Sequence, residues 1–172
     1  MAPLDTPLKS ERILKEISQR DTARKTIDVQ EEKVKVVIFI SGRNRYAFYG
    51  RDIKEILPSC PISWVPGLPD YLPGLINVRG DVESVIDIRH FLGEEITASH
   101  EGLIAMAKRE SFRSGVMIDS VEDVADIPLR SIKPPLSTLG GAARELVIGE
   151  IEYGGKTAAL IDIGKLAAKI SL

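Results

Sequence analysis

The 172-residue sequence predicts a mainly β protein made of two small barrels that share an apolar seam. Short apolar runs separated by closely spaced turns are typical of barrel strands. The second half of the chain repeats the order of the first, and the triplet Ile-Asp-Ile at 86–88 recurs at 161–163. Two copies at a long period indicate related subdomains, because a solenoid needs at least three repeats. Each half is too small to enclose a large core alone, so we expect the two to pack together.

Composition and charge restrict the class of protein. The apolar share of 44% is ordinary for a globular chain, and 23 basic against 25 acidic residues leave a net charge of −2. Without a basic field, nucleic acid and anionic membrane are not expected partners. The single cysteine, Cys60, excludes an intramolecular disulfide. There is no signal-peptide pattern and no apolar run that could span a bilayer, so we expect a cytoplasmic protein without direct membrane insertion.

Residues 1–33 form a highly charged N-terminal extension with few apolar positions. The apolar residues between Ile13 and Ile17 fall at helical spacing, and Ser10 is placed to cap a helix that we expect to run to about Lys25. Such a sparse stripe is typical of a surface helix packed on the body. An arm that docks a partner is the alternative.

Residues 34–49 are predicted to form a β-hairpin, because two apolar runs flank a turn at 42–44. The next segment, 51–57, reads as one or two helical turns ended by Pro58. Its apolar side chains would share one side of that helix: Ile53, Ile56 and Leu57.

A second pair of strands is predicted at 75–88, followed by a short helix at 89–93. Arg79 and Gly80 stand between two aliphatic runs and read as the corner that joins the strands. Glycine permits the turn, and the arginine, with its five donors, can reach a carboxylate or carbonyl across it.

The second half of the chain is predicted to repeat these elements. Residues 102–127 read as strand, turn, strand and a short element, and residues 146–170 as strand, turn, strand and helix. By this repeat the body divides into subdomains of roughly 35–95 and 102–170, with any exchange of chain between the barrels left open.

The charged residues around 81–87 also fit a metal or acid–base site, and that alternative fails on geometry. On a strand, Glu83 and Asp87 share a face with Asp81 but lie about four residues of rise, roughly 13 Å, from each other. Neither histidine has a partner at ligand spacing, no serine lies in a nucleophile elbow, and no glycine-rich phosphate loop opens a helix. We therefore expect no enzymatic activity, no metal and no cofactor.

Two short motifs carry a family resemblance. One is Asn-hydrophobic-Arg-Gly at 77–80, ending a strand, and the other is hydrophobic-Asp-hydrophobic-Arg at 86–89, ending the next strand. The signature residues are Asn77, Arg79, Gly80, Asp87 and Arg89. With these motifs at this separation, residues 34–170 closely resemble the CheW-like domain of bacterial chemotaxis. The resemblance implies two SH3-like five-stranded barrels with short helices.

The resemblance also implies a function. Members of this family are noncatalytic adaptors that couple methyl-accepting chemoreceptors to a CheA-type histidine kinase, and they are recruited to membrane-associated receptor arrays. The expected partners are therefore the cytoplasmic tip of such a receptor and the regulatory domain of the kinase. The alternative is a coupling protein of a non-flagellar pathway such as twitching motility, development or second-messenger control.

In the family, the helical receptor tip lies in an apolar groove between the barrels. Residue-wise match to that groove gives these candidates: Val37, Gly50, Ile53, Glu55, Ile56, Met117 and Val121. For the aliphatic candidates the alternative is plain core packing. Gly50 departs from the family, which often has an aliphatic residue there, so the groove is expected to be shallower or to suit a different receptor.

The kinase contact in the family is made by barrel ends. Five prolines in the loop 58–73 exclude regular structure, so we expect an ordered loop that holds Trp64 and Tyr71 against the body. With Pro66, these aromatic residues are the candidates for the kinase contact, because tryptophan and tyrosine are typical of hot spots. The polar pair at 83–84 replaces a hydrophobic-Pro pair that is frequent in the family, which predicts a solvated strand edge.

Overall fold

The computed structural model of the protein describes residues 13–18, 31–98 and 101–170. The chain divides into two units, residues 1–32 and residues 33–172.

In the first unit, residues 13–18 are helical, and we label this helix α1. Its apolar side chains are all exposed: Ile13, Leu14 and Ile17. The helical prediction is therefore confirmed for these six positions. The predicted cap at Ser10 and the predicted end near Lys25 lie outside the described residues.

The second unit is built mainly from strands. Along the chain its elements are β1 Lys33–Ser41, β2 Asn44–Tyr49, a 3-10 turn Gly50–Asp52, β3 Ile53–Pro58, β4 Gly74–Val78, β5 Asp81–Asp87, α2 Arg89–Leu92, β6 Leu103–Arg109, β7 Phe112–Ile118, β8 Ser120–Pro128, 3-10 turns Leu129–Ser131 and Gly141–Glu145, β9 Val147–Tyr153, β10 Lys156–Ile161 and α3 Ile163–Ile170. The predicted hairpins, the short helix after β5 and the helix after β10 are confirmed.

The strands form two five-stranded sheets, in the orders β8-β1-β2-β10-β9 and β3-β6-β7-β5-β4. This arrangement confirms the predicted mainly β fold with two five-stranded parts. The boundaries 35–95 and 102–170 do not separate the sheets, however, because the halves exchange strands. Residues 159–161 of β10 pair in parallel with β2, and residues 85–87 of β5 pair in parallel with β7. All strands of the second sheet lie within 53–118, and those of the first sheet flank them.

Three apolar clusters fill the structure. One contains Val36 and Ile38 of the first sheet, and another contains Ile76 and Ile104 of the second. The largest combines side chains of both sheets: Phe39, Tyr46, Phe48, Val147 and Ile161 from the first, and Ala105, Ala107, Val116 and Ile118 from the second. This third cluster is the predicted shared seam.

Residues 53–58 form a strand, so the predicted helix at 51–57 is wrong. Ile53 pairs with Ala107 but Glu55 pairs with Met106, which places a bulge in β3. The extra residue changes the alternation of sides, so Ile53 and Ile56 both pack on the seam. Two apolar residues three apart on one side are also the pattern of a helical turn, which is why the sequence predicted a helix. Pairing with the distant β6 makes the segment a strand instead.

The proline-rich loop, residues 58–73, is held to the body at Ser63 and at Tyr71. Ser63 and Leu75 exchange backbone hydrogen bonds of 2.7 and 2.9 Å, and the Tyr71 ring lies 5.1 Å from that of Phe91. Trp64, in contrast, is 73% exposed. The prediction that it packs against the body is wrong, because the loop is fastened by backbone bonds and by Tyr71.

Candidate functional site

The face of the first sheet that meets the seam is set by strand alternation. On β1, Val36 and Ile38 belong to the apolar cluster of the first sheet. The alternate residues Val37 and Phe39 therefore point to the opposite side of the strand, toward the seam. The strand register supports this, because Val37 is paired with Phe48, a member of the seam cluster.

This apolar face continues onto β8, where it becomes accessible to solvent. Val121 is the partner of Phe39 and packs partly buried against the seam, while Val124 is the partner of Val37 and is 50% exposed. A row of apolar side chains therefore runs from the buried seam to the surface. Val124 belongs to this surface although the sequence did not single it out, because its place depends on pairing with β1.

Strand β3 contributes the other apolar side of the site. Ile53 and Ile56 pack against the seam cluster and are only partly buried. We call the surface formed by Val37, Val121, Val124, Ile53 and Ile56 the seam groove. Such a surface offers aliphatic contacts to an apolar helix face.

Met117 does not belong to the seam groove. It is buried in the interior cluster of the second sheet, and its neighbours Val116 and Ile118 are the residues that face the seam. The family-based assignment of Met117 to the groove is therefore wrong, because a one-residue offset on a strand reverses the side chain's direction.

Glu55 forms an ion pair with the corner between β4 and β5. Arg79 donates hydrogen bonds of 2.9 and 2.7 Å to the two carboxylate oxygens of Glu55. These hydrogen bonds lower the pKa of the Glu55 carboxyl below its ordinary value. The expectation that Arg79 reaches across to a carboxylate is confirmed.

The corner itself uses the three residues of the first motif. Arg79 has a φ of 53° and Gly80 a φ of 94°, both in the left-handed region where glycine is favoured. The backbone N–H of Gly80 donates a 2.8 Å hydrogen bond to Asn77 Oδ1. The Asn-x-Arg-Gly motif thus forms the turn that positions the Arg79 guanidinium.

The second motif supplies a buried ion pair at the start of α2. Arg89 donates hydrogen bonds of 2.8 and 2.7 Å to the Asp87 carboxylate, and both residues are buried. Burial acts to raise the pKa of Asp87, but the hydrogen bonds and charge of Arg89 outweigh it and hold the pKa below its ordinary value. Asp87 and Arg89 therefore join the end of β5 to the start of α2.

The pair Glu83 and Ser84 does not form a solvated edge. Strand β5 lies between β7 and β4, where Glu83 is buried and accepts a 2.6 Å contact from Arg113 Nε. The Ser84 hydroxyl lies 2.8 Å from that of Ser114. Each polar group has a partner on the neighbouring β7, so the prediction of a solvated strand edge is wrong.

The kinase-contact candidates are only partly brought together. Trp64 and Pro66 are exposed in the loop after β3, whereas Tyr71 is partly buried under the ring contact with Phe91.

Two negative observations apply to the described parts of the chain. Across residues 13–18, 31–98 and 101–170, no three His, Cys, Asp or Glu side chains are grouped so as to hold a metal ion. Within the same ranges, no helix is long and apolar enough to cross a membrane.

Comparisons with known proteins agree with this architecture. Residues 35–171 match the model of the CheW-like domain family. "Chemotaxis protein CheW" of Treponema pallidum (strain Nichols) is 24% identical over 80% of this chain and 84% of its own. "Protein FrzA" of Myxococcus xanthus is 29% identical over 74% of this chain and 81% of its own. The crystal structure of "scaffolding protein TtCheW" from Thermoanaerobacter tengcongensis superposes with a TM-score of 0.69, at 25% identity, over 76% of this chain and 90% of that one.

Proposed function

The chain belongs to the CheW-like domain family, and on this basis we propose that it is a noncatalytic adaptor that couples methyl-accepting chemoreceptors to a CheA-type histidine kinase. We assign this function to residues 34–170, with residues 1–33 as an extension. The observation that carries the proposal is the seam groove, an accessible apolar surface at the junction of the two sheets. The protein would act in the cytoplasm, at membrane-associated receptor arrays.

The receptor side of the proposal rests on the shape and chemistry of the seam groove. Val37 lies on its floor, and the partly buried Ile53, Ile56 and Val121 leave apolar surface open to a partner. A helix can place aliphatic side chains on such a surface at positions one turn apart. Glu55, which is held by Arg79, is the neighbour of Ile56 on β3 and would supply a charge at the rim of the groove rather than on its floor.

The kinase side rests on the exposed loop after β3. A tryptophan that is 73% exposed leaves a large apolar ring in water, and tryptophan is among the commonest hot-spot residues of interfaces. We infer that Trp64 contacts the kinase regulatory domain, with Pro66 beside it. Tyr71 would hold the loop in position through Phe91 rather than touch the partner.

A second candidate function has one observation in its favour. The resemblance to "Protein FrzA" of Myxococcus xanthus is at least as strong in identity as that to the chemotaxis protein of Treponema pallidum. The same groove and loop would then serve a non-flagellar signalling pathway through its own receptor and kinase.

Co-sedimentation tests the proposal. The purified full chain is mixed with receptor-bearing membranes and CheA-type kinase from the same organism, and the bound fraction is measured. Ile53→Asp and Ile56→Asp should lose receptor binding, because each buries a carboxylate in the apolar contact. Trp64→Ala should lose kinase binding and keep the receptor. Lys54→Asp, exposed on the same strand, is the matched control and should bind both.

The outcomes separate the parts of the proposal. If the wild-type chain binds neither component, the adaptor function is wrong. If the wild type binds and the two aspartate variants bind equally well, the groove assignment is wrong and the adaptor function stands. Far-UV circular dichroism of each variant shows that a loss of binding is not a loss of folding.

A further inference from the structure

One end of the seam groove is formed by charges rather than by an aliphatic wall. The β1–β2 ladder ends with the pair Val36 and Tyr49, so the next residue of β1, Lys35, lies opposite Gly50. On its other side, Lys35 is the register partner of Asp126 in β8. Because alternate residues of a strand share a face, Lys35 stands next in the row after Val37.

Gly50 makes room for the stem of Lys35. Gly50 is not among the positive-φ glycines, so its backbone does not require a glycine. A Cβ added there would lie 2.9 Å from Lys35 Cγ and 3.1 Å from Lys35 Cβ. These atoms are the root of the lysine side chain, which cannot move aside as its tip can. A residue with a side chain at position 50 would therefore displace Lys35.

The ammonium group is held at the end of the groove and stays accessible. Lys35 Nζ lies 3.1 Å from Asp126 Oδ1, and each of these side chains is 57% exposed. An ammonium group has three donors, so contact with Asp126 leaves capacity for an acceptor on a partner.

We propose that Lys35 sets the partner specificity of the seam groove by selecting a helix whose apolar stripe is followed, one turn further, by an acidic side chain. Residues two apart on β1 are about 7 Å from each other, close to the rise of one helical turn. A helix that lies along β1 can thus place an aliphatic side chain on Val37 and a carboxylate beside the Lys35 ammonium. This inference rests on the proposed receptor-binding function and names the receptor chemistry that this groove takes.

The test is calorimetric titration of the full chain with soluble cytoplasmic fragments of receptors from the same genome. Lys35→Met keeps the stem and removes the charge. It should weaken binding of a fragment with an acid at this position by about fivefold, the upper range for a partly exposed ion pair. Changing that acid to its amide should cause a similar loss and should abolish the further effect of Lys35→Met. Lys54→Met, exposed on β3, is the control and should bind as the wild type does.

A second set of variants tests the role of Gly50. Gly50→Val alone should weaken binding, because it drives the Lys35 stem out of its place. Gly50→Val combined with Lys35→Ala also lacks the cation, so it should bind the acidic fragment no more tightly than Lys35→Met does. This double variant should no longer prefer the acid over the amide in the fragment. Thermal unfolding of each variant checks that the fold is kept.

The results distinguish this inference from the proposed function. If Lys35→Met binds as tightly as the wild type while Ile56→Asp does not bind, the specificity inference is overturned and the adaptor function stands. If fragments with a basic residue at this position bind more tightly than acidic ones, Asp126 selects the partner and the inference is also overturned. A wild-type chain that binds no receptor fragment overturns both.

Discussion

Arg45 binds Glu122 across the first sheet, because its guanidinium donates two hydrogen bonds of 2.6 Å to the Glu122 carboxylate. The two residues lie on β2 and β8, which are separated by β1 in the sheet. Arg45 also donates a 3.0 Å hydrogen bond to the Tyr153 carbonyl at the end of β9. Since β8 and β9 are the two edges of the sheet, this one side chain links both edges, and the Tyr153 hydroxyl bonded to Asp123 links them again.

Arg45→Met should therefore destabilise the fold by about 1–3 kcal/mol, because it removes the hydrogen bonds that the guanidinium donates to the Glu122 carboxylate and to the Tyr153 carbonyl. Urea denaturation measures the change in the free energy of unfolding. Arg43→Met, exposed in the preceding turn, is the control and should change stability little. Equal stability of Arg45→Met and the wild type would show that the edges do not need this link.

Asp52 should make the stability depend on pH. This residue is 5% exposed, and its Oδ2 has no hydrogen-bond partner within the described residues, since Arg109 Nη1 is 3.7 Å away. Burial raises the pKa of Asp52, and the charges of Arg109 and Arg51 offset this only in part. The folded state thus favours the protonated form, and the free energy of unfolding should fall as pH rises through the raised pKa.

Asp52→Asn should lack this fall, so its stability relative to the wild type should increase from acidic to neutral pH. Urea denaturation across that range gives the comparison. Asp70→Asn, in the exposed loop, should retain the wild-type pH profile. Parallel profiles for the wild type and Asp52→Asn would exclude Asp52 as the titrating group.

The buried pair of Asp87 and Arg89 gives a third prediction. Arg89→Met leaves the Asp87 carboxylate buried without its partner, which should cost about 3–5 kcal/mol in denaturant unfolding. Combining Asp87→Asn with Arg89→Met removes the unpaired charge and should recover part of the loss. A double variant less stable than Arg89→Met would contradict this account.

Local features of the sequence predicted the fold well where neighbours in the chain also pair in space. The hairpin of β1 and β2 and the corner at Arg79 depend on turn residues within a few positions. Strand β3 was misread because its partner β6 lies about 50 residues further on, and local spacing cannot report a bulge. The exchange of strands between the two halves of the chain could not be predicted for the same reason, because periodicity identifies strands but not their partners.

The site was predictable to a similar degree. The family resemblance pointed to Ile53 and Ile56, which the structure places at the seam. The Lys35 position over Gly50 was not visible, because it follows from the register of three strands. Met117 was misplaced by one position on β7.

Met117 and Ile56 should respond differently to truncation, because one lies inside the second sheet and the other at the seam groove. Met117→Ala should cost about 2–5 kcal/mol of stability, as expected for a buried methionine that leaves a cavity. The folded fraction should still bind receptor fragments with wild-type affinity. Ile56→Ala should cost less stability, because Ile56 is only partly buried, and should weaken binding. Titration below the unfolding transition, with unfolding measured separately, gives both quantities. A Met117→Ala chain that is fully stable and fails to bind would return Met117 to the groove.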